Sequence, residues 1–296
     1  MTINEVKRIF KRRPDSHKGT YGHVFVIAGS VGMTGAAYLS SQAALLSGSG
    51  LVTLGIPKSL NPIMARKLVE VITLPLPETR AQTLSRRAYE PIHEFLSRID
   101  VVAMGPGLSR NPDTQALICK LISSIDKPLI IDADALNALA GHLDALEAGL
   151  AGDAAPVLTP HAGEMARLIG KSIDYVQRSR ADIAAGFAKK YHCVLVLKGH
   201  RTVVASPDGK VYHNTTGNAG MASAGVGDIL TGVIASFLGQ GLSSYDAARL
   251  GVHVHGMAGD TAAKITGQLS LTATDILNKL PEVLRRCSAA PSMFSL

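Results

Sequence analysis

The sequence is predicted to fold as a layered α/β domain, with a mostly parallel central sheet covered by helices on both faces. Three observations lead there. Short β-rich runs alternate with segments of helical spacing along most of the 296 residues, which is the signature of βα units. Continuous apolar runs such as Val194-Leu195-Val196-Leu197 read as strands buried on both faces. The 29 glycines and the lack of tryptophan suit tight βα turns and close helix packing better than an aromatic-lined binding module.

In chain order, the expected strands are residues 23–28, 51–56, 69–74, 100–104, 128–132, 156–159 and 193–198. Helical spacing marks 34–47 and 174–190 between them. After residue 198 the pattern changes. Runs 202–206 and 211–213 flank Pro207-Asp208-Gly209, and Asp-Gly between apolar runs reads as a hairpin. Three further helices are expected to begin near Gly227, Ser244 and Thr272. No linker, low-complexity segment or repeat divides the chain. One domain is therefore expected over 1–296, with a basic segment at 1–15 and a partly disordered tail at 281–296.

A hydrophobic share of 46% with 18% charged residues excludes intrinsic disorder. The formal net charge of +7 favours anionic partners. Much of the excess sits in Lys7, Arg8, Lys11, Arg12 and Arg13. Without interleaved aromatics or a nucleic-acid motif this reads as a solvated helix face, and nucleic acid is not an expected partner. Cys119, Cys193 and Cys287 lack metal or redox spacing, which indicates a reducing compartment. Residues 1–20 hold no apolar leader core, and the apolar run 229–238 is too short to span a bilayer. A cytoplasmic protein without a membrane partner is expected.

In an open parallel sheet, ligands bind beyond the carboxyl ends of the strands. The segments expected there are Gly29-Ser30-Val31-Gly32-Met33-Thr34-Gly35, Gly105-Pro106-Gly107-Leu108, Asp132-Ala133-Asp134-Ala135-Leu136-Asn137, Thr159-Pro160-His161-Ala162-Gly163-Glu164 and Lys198-Gly199. Glycines, carboxylates, one histidine and one lysine thus gather along one edge. The strongest local signal is Asn218-Ala219-Gly220-Met221-Ala222-Ser223-Ala224-Gly225-Val226-Gly227-Asp228, running into an apolar helix. Small residues before a helix let backbone N–H groups approach a phosphate, and the helix N-terminus adds about half a positive charge. A carboxylate beside such a nest, here Asp228, can take a proton from an attacking hydroxyl.

Two motifs fail on spacing. Gly170-Lys171-Ser172 has Met165 where a Walker loop needs its first glycine. Gly29, Gly32 and Gly35 lack the acidic residue expected about 20 positions on. His253 and His255 would point in different directions on a helix, so packing is expected of them. Asp132 and Asp134 read either as magnesium ligands or, for Asp134, as a helix N-cap.

Taken together, these blocks resemble the ADP/ATP-dependent NAD(P)H-hydrate dehydratases, a branch of the ribokinase-like superfamily. The similarity runs from Lys18-Gly19-Thr20-Tyr21-Gly22 to about residue 280. It takes in Thr34-Gly35-Ala36-Ala37, Gly105-Pro106-Gly107, Asp132-Ala133-Asp134-Ala135-Leu136-Asn137, Thr159-Pro160-His161 with Gly163-Glu164, Lys198-Gly199 with Thr202, the 217–228 block and Ser270-Leu271-Thr272-Ala273-Thr274-Asp275. The chain departs from the family pattern at Ala162 and Ala219, where proline is common, and at Ser223-Ala224, where Thr-Gly is.

The resemblance implies a three-layer ribokinase-like fold and repair of hydrated NADH or NADPH. ADP or ATP would phosphorylate the C6 hydroxyl of the damaged ring, and loss of phosphate would restore the cofactor. Carried over by position, Asp228 resembles the catalytic base, and Ala224, Gly225, Val226 and Gly227 the anion hole. Lys198, Gly199, His200, Arg201 and Thr202 resemble the segment holding the adenine nucleotide, with Gly227 at its phosphate end. Gly107, His161 and either Ala36 or Ala37 resemble substrate contacts, and Glu164 an acid acting on Mg²⁺ through water. The resemblance also implies a homotetramer and an NAD(P)H-hydrate epimerase as partner enzyme on a separate chain. A vitamin-precursor kinase of the same superfamily is the nearest rival reading, and a nucleotide-binding sensor a more distant one.

Overall fold

The computed structural model describes residues 9–148 and 154–289. Nine strands form one sheet: β1 (His23–Ile27), β2 (Leu51–Pro57), β3 (Ile72–Leu76), β4 (Val101–Met104), β5 (Leu129–Ile131), β6 (Val157–Leu158), β7 (Val194–Leu197), β8 (Val203–Ala205) and β9 (Val211–His213). Their order is β3-β2-β1-β4-β5-β6-β7-β8-β9. Every pairing from β3 through β7 is parallel, and β8 and β9 add antiparallel to β7. The expected Asp-Gly hairpin joins the last two, closed by Ser206 N–H donating to the Lys210 carbonyl at 3.0 Å.

Alternate residues of each strand enter opposite cores, as period-2 geometry requires. Val24, Val26, Val101, Ala103, Val194 and Val196 face one apolar cluster, covered by helices Thr34–Leu46, Val226–Gly239, Ser244–Thr266 and Ala273–Ala289. Phe25, Ile27, Val102, Met104, Leu195 and Leu197 face the other, covered by Pro112–Ile122, Ala133–Leu139, Ala162–Ile169 and Arg180–Lys190. Both faces of the parallel strands are buried, so their sequences are continuously apolar.

Three expectations shift. The strand expected at 69–74 forms at Ile72–Leu76, because pairing with β2 begins at Thr53 with Ile72 while Val69 stays 84% exposed. The helix expected at 174–190 breaks at Ser179 (φ −137°, ψ 44°) into Ile173–Arg178 and Arg180–Lys190. That break lets Arg180 Nη2 donate to the Leu197 carbonyl at the end of β7, 2.7 Å away. Residues 281–289, expected to begin a partly disordered tail, continue the helix Ala273–Ala289, burying Val283 and Cys287; the rest of that expectation, 290–296, lies outside the described residues.

Of the basic segment, Lys7 and Arg8 lie outside the described residues, whereas Lys11, Arg12 and Arg13 are exposed and not helical. Arg12 stacks on the Tyr21 ring, 4.3 Å from its centroid, and Arg13 pairs with Asp15 at 3.0 Å. Among the described residues no helix is long and apolar enough to cross a membrane.

Two helices on one face touch at backbone distance. A Cβ at Gly232 would stand 2.1 Å from the Ser40 carbonyl oxygen and 2.8 Å from Ala44 N, so only glycine lets Val226–Gly239 lie this close to Thr34–Leu46. This contact fixes the height at which the N-terminus of Val226–Gly239 meets the carboxyl edge of the sheet.

Candidate active site

The segment singled out in the sequence forms the start of that helix. Gly225 occupies the N-cap at φ 85°, a left-handed conformation that glycine adopts at little cost. Ala224 is not among the residues with positive φ. The Ala224 departure from the family pattern is therefore accommodated, because the left-handed turn falls on Gly225. The amides of Ala224, Gly225, Val226 and Gly227 precede the Ile229 N–H to Gly225 C=O bond (3.4 Å). N–H groups at this position have no partner within a helix and can serve an anion. The Val226 side chain is buried and contributes only its backbone to such a hole.

Asp228 stands in the first turn of this helix. Burial first, and then the charges of Asp132, Glu164 and Asp134 against the opposing pull of Lys198, raise its pKa to about 7. A carboxylate at that value is matched to proton transfer near neutrality.

Beneath this turn lies a charge network that unites four elements. Lys198, just past β7, donates from Nζ to Asp132 Oδ1 at 2.7 Å. Thr231, one turn along the helix from Asp228, donates from Oγ1 to Asp132 Oδ2 at 2.7 Å. Glu164 Oε2 is 4.0 Å from Lys198 Nζ. Burial alone would lower the Lys198 ammonium, but Asp132, Glu164 and Asp228 outweigh it and hold the pKa above its ordinary value. Burial raises Glu164. Nζ also lies 3.2 Å from the point where a Cβ on Gly227 would be, so glycine there leaves the cation close to the amide nest.

His161 is the N-cap of Ala162–Ile169. Its Nδ1 accepts from Gly163 N–H (2.9 Å) and Glu164 N–H (3.2 Å), while Glu164 Oε2 accepts from His161 N–H (2.8 Å). The ring is half-exposed, and its Nε2 lies 3.4 Å from Glu164 Oε1. Burial, with Lys198 and Arg167 nearby, lowers the His161 pKa and keeps the ring neutral.

Across the strand ends, Gly107 (φ 63°) packs on the start of Thr34–Leu46, where a Cβ would meet Met33 O at 2.9 Å and Ala36 Cβ at 3.1 Å. Ser30 Oγ donates to the Gly107 carbonyl at 2.8 Å. Ala37 is fully buried, backbone and side chain alike, while Ala36 is partly exposed. Gly199, His200, Arg201 and Thr202 form a turn held by Thr202 Oγ1 donating to the Gly199 carbonyl at 3.0 Å, with His200 and Arg201 exposed.

The N-cap reading of Asp134 is not borne out. Asp132, not Asp134, takes the N-cap position of Ala133–Leu139, without a capping bond. Asp134 accepts from Ser109 N–H (2.8 Å) and Asn137 Nδ2 (3.1 Å). The other rejected motifs behave as packing. Gly170 is a left-handed C-cap, and burial pushes the His255 pKa down to about 4. Sequence reasoning missed Thr231 and Arg180. A hydroxyl one turn from the candidate base, in a run 229–238 whose other hydroxyl residue is Ser236, is the signal that marks Thr231.

The family profile described as NAD(P)H-hydrate dehydratase matches residues 24–282. The chain is 51% identical over 276 residues to the bifunctional NAD(P)H-hydrate repair enzyme Nnr of Moorella thermoacetica, covering 93% of this chain and 51% of that one. It is 38% identical to the ADP-dependent (S)-NAD(P)H-hydrate dehydratase of Neisseria meningitidis serogroup B, covering 88% of this chain and 83% of that one. The chain thus spans about half the length of the bifunctional relative. The crystal structure of the ADP/ATP-dependent NAD(P)H-hydrate dehydratase from Bacillus subtilis, co-crystallised with ATP/Mg²⁺, superposes with a TM-score of 0.81 at 30% identity, covering 96% and 97% of the two chains.

Proposed function

The chain belongs to the NAD(P)H-hydrate dehydratase family, and we propose that it restores NADH or NADPH from their C6-hydrated forms using ADP or ATP. Its fold is the mostly parallel, helix-covered sheet of ribokinase-like proteins. Asp228 takes the C6 hydroxyl proton as that oxygen attacks the terminal phosphorus, and the shortened nucleotide leaves. The C6–O bond of the phosphorylated ring then breaks, phosphate departs with both electrons, and the ring nitrogen lone pair supplies the push. Loss of a C5 proton closes the ring double bond. Hydroxide would be a poor leaving group, and this is the reason for spending a phosphoryl group.

The observation that carries the reading is the Asp228 carboxylate, raised to about 7, in the same helical turn as the 224–227 amides and above Lys198. Those amides and the Lys198 ammonium are placed to offset charge on the migrating phosphoryl group. The turn 198–202 is the proposed nucleotide seat. Gly107, His161 and either Ala37 or its more exposed neighbour Ala36 are the proposed contacts to the hydrated ring.

Magnesium fits this site as a companion of the nucleotide. Among the described residues no three His, Cys, Asp or Glu side chains form a metal cage, and such an ion binds mainly phosphates and water. Glu164 is the residue proposed to reach it through water, and the ion would neutralise phosphate charge. The functional partner proposed is an NAD(P)H-hydrate epimerase. A homotetramer is part of the same proposal, read out by sedimentation.

The test is incubation with hydrated NADH and, in parallel, hydrated NADPH, each with ADP or ATP. Recovery of the near-ultraviolet absorbance of the reduced nicotinamide, dependent on nucleotide, is expected. Nucleotide consumption that yields only a stable phosphorylated product favours the small-molecule kinase.

A further inference from the structure

Asp132 sits just past the end of β5, and its side chain joins three elements, the ends of β5 and β7 and the helix Val226–Gly239. It is 1% exposed. One carboxylate oxygen accepts from Lys198 Nζ at 2.7 Å, from the end of β7. The other accepts from Thr231 Oγ1 at 2.7 Å, from the second turn of Val226–Gly239. Thr231 is fully buried in a largely apolar stretch, where an unpaired hydroxyl would cost stability. Its Oγ1 also lies 3.3 Å from the Gly227 carbonyl of its own helix. The hydroxyl therefore stands between the turn that carries Gly227 and Asp228 and the carboxylate that holds the lysine.

We propose that Asp132 and Thr231 are positioning residues, a carboxylate–hydroxyl clamp that fixes the catalytic helix turn and the Lys198 ammonium in one register for phosphoryl transfer. The two strands are tied to one another through β6 by sheet hydrogen bonds, whereas the helix lies on them by apolar packing, which sets separation well and rotation about the helix axis poorly. Two short bonds to the two oxygens of one buried carboxylate remove that freedom. Lysine has three donors; one goes to Asp132, and Gly227 keeps the ammonium near the amide nest by having no side chain there. Asp132 is thereby committed to protein donors through both oxygens, and serves phosphate indirectly through the cation it orients.

The inference rests on the dehydratase reading, and a Thr231 series separates the two. Thr231→Val keeps shape and burial and deletes the hydroxyl; Thr231→Ser keeps the hydroxyl and deletes a methyl group. In the repair assay, Thr231→Val is expected to lower kcat ~10–100-fold, the size of loss that slight misplacement brings, with KM for nucleotide within about twofold of wild type. Thr231→Ser is expected to recover most of that kcat even if its melting temperature is the lower of the two. A Thr231→Val enzyme that turns over at the wild-type rate overturns the clamp while leaving the dehydratase reading intact. So does a series in which kcat follows melting temperature instead of the hydroxyl. Absence of repair by the wild-type protein would instead overturn the reading beneath it. Should Thr231→Val fail to fold, Asp132→Asn provides the same split, since the amide retains one acceptor oxygen and loses the charge that fixes Lys198.

Discussion

Asp228 illustrates how a group can serve chemistry at the expense of the fold. Burial and neighbouring acids raise its pKa from the ordinary 3.8 to about 7. Between those values the folded protein holds a proton that the unfolded chain does not, so stability falls as pH rises through that window and the loss is complete above about 7. Asp228→Asn removes the penalty. It is expected to melt ~2–5 °C higher than wild type at about pH 8 and at nearly the same temperature at about pH 4. The same substitution should lower repair turnover ~100–10,000-fold. In the wild type, kcat/KM should decline as pH drops through about 7, because the base becomes protonated. A variant that gains stability yet keeps its turnover would remove Asp228 from the role of base. His161 has two duties that substitution can separate, as helix cap and as proposed substrate contact. His161→Ala should cost about 1 kcal/mol of unfolding free energy. His161→Asn should keep the cap and still raise KM for the hydrated cofactor, measured against denaturation curves of both variants.

At the scale of elements, the site depends on how closely Val226–Gly239 lies on Thr34–Leu46. Gly232 faces the Ser40 carbonyl where a Cβ would be 2.1 Å away. Gly232→Ala must push the helices apart or bend one of them, and overpacking of this kind costs about 1–3 kcal/mol. Urea denaturation should show that loss. Repair turnover should fall as well, since Asp228 rides on the displaced helix. Unchanged stability would mean that the two helices are less tightly held than their geometry indicates. The strand–helix alternation was legible because buried parallel strands must be continuously apolar. The edge strand was misplaced because Val69 and Val71 look like strand residues, while only Ile72 onward pairs with β2. The break at Ser179 was illegible because helical spacing continues across it, and the bond it permits, from Arg180 to the Leu197 carbonyl, lies on a different element.

For the molecule as a whole, local chemistry could be read from the chain and long-range pairing could not. The Gly-, Ala- and Ser-rich run before an apolar helix marked Asp228 and its amides, and a place just beyond a strand end marked His161 with Glu164. The Lys198 to Asp132 bond spans 66 positions and the Thr231 to Asp132 bond 99, and neither follows from any spacing rule. Sheet order brings them together, placing β5, β6 and β7 side by side. All the proposed roles therefore converge on one edge of one sheet, where a phosphoryl group would pass from nucleotide to hydroxyl and then be expelled. The most direct measurement is a single turnover with hydrated NADH and limiting nucleotide, counting inorganic phosphate released against reduced nicotinamide formed. One phosphate for each nicotinamide restored is the expected result. A phosphorylated nicotinamide product that accumulates without releasing phosphate would contradict the account.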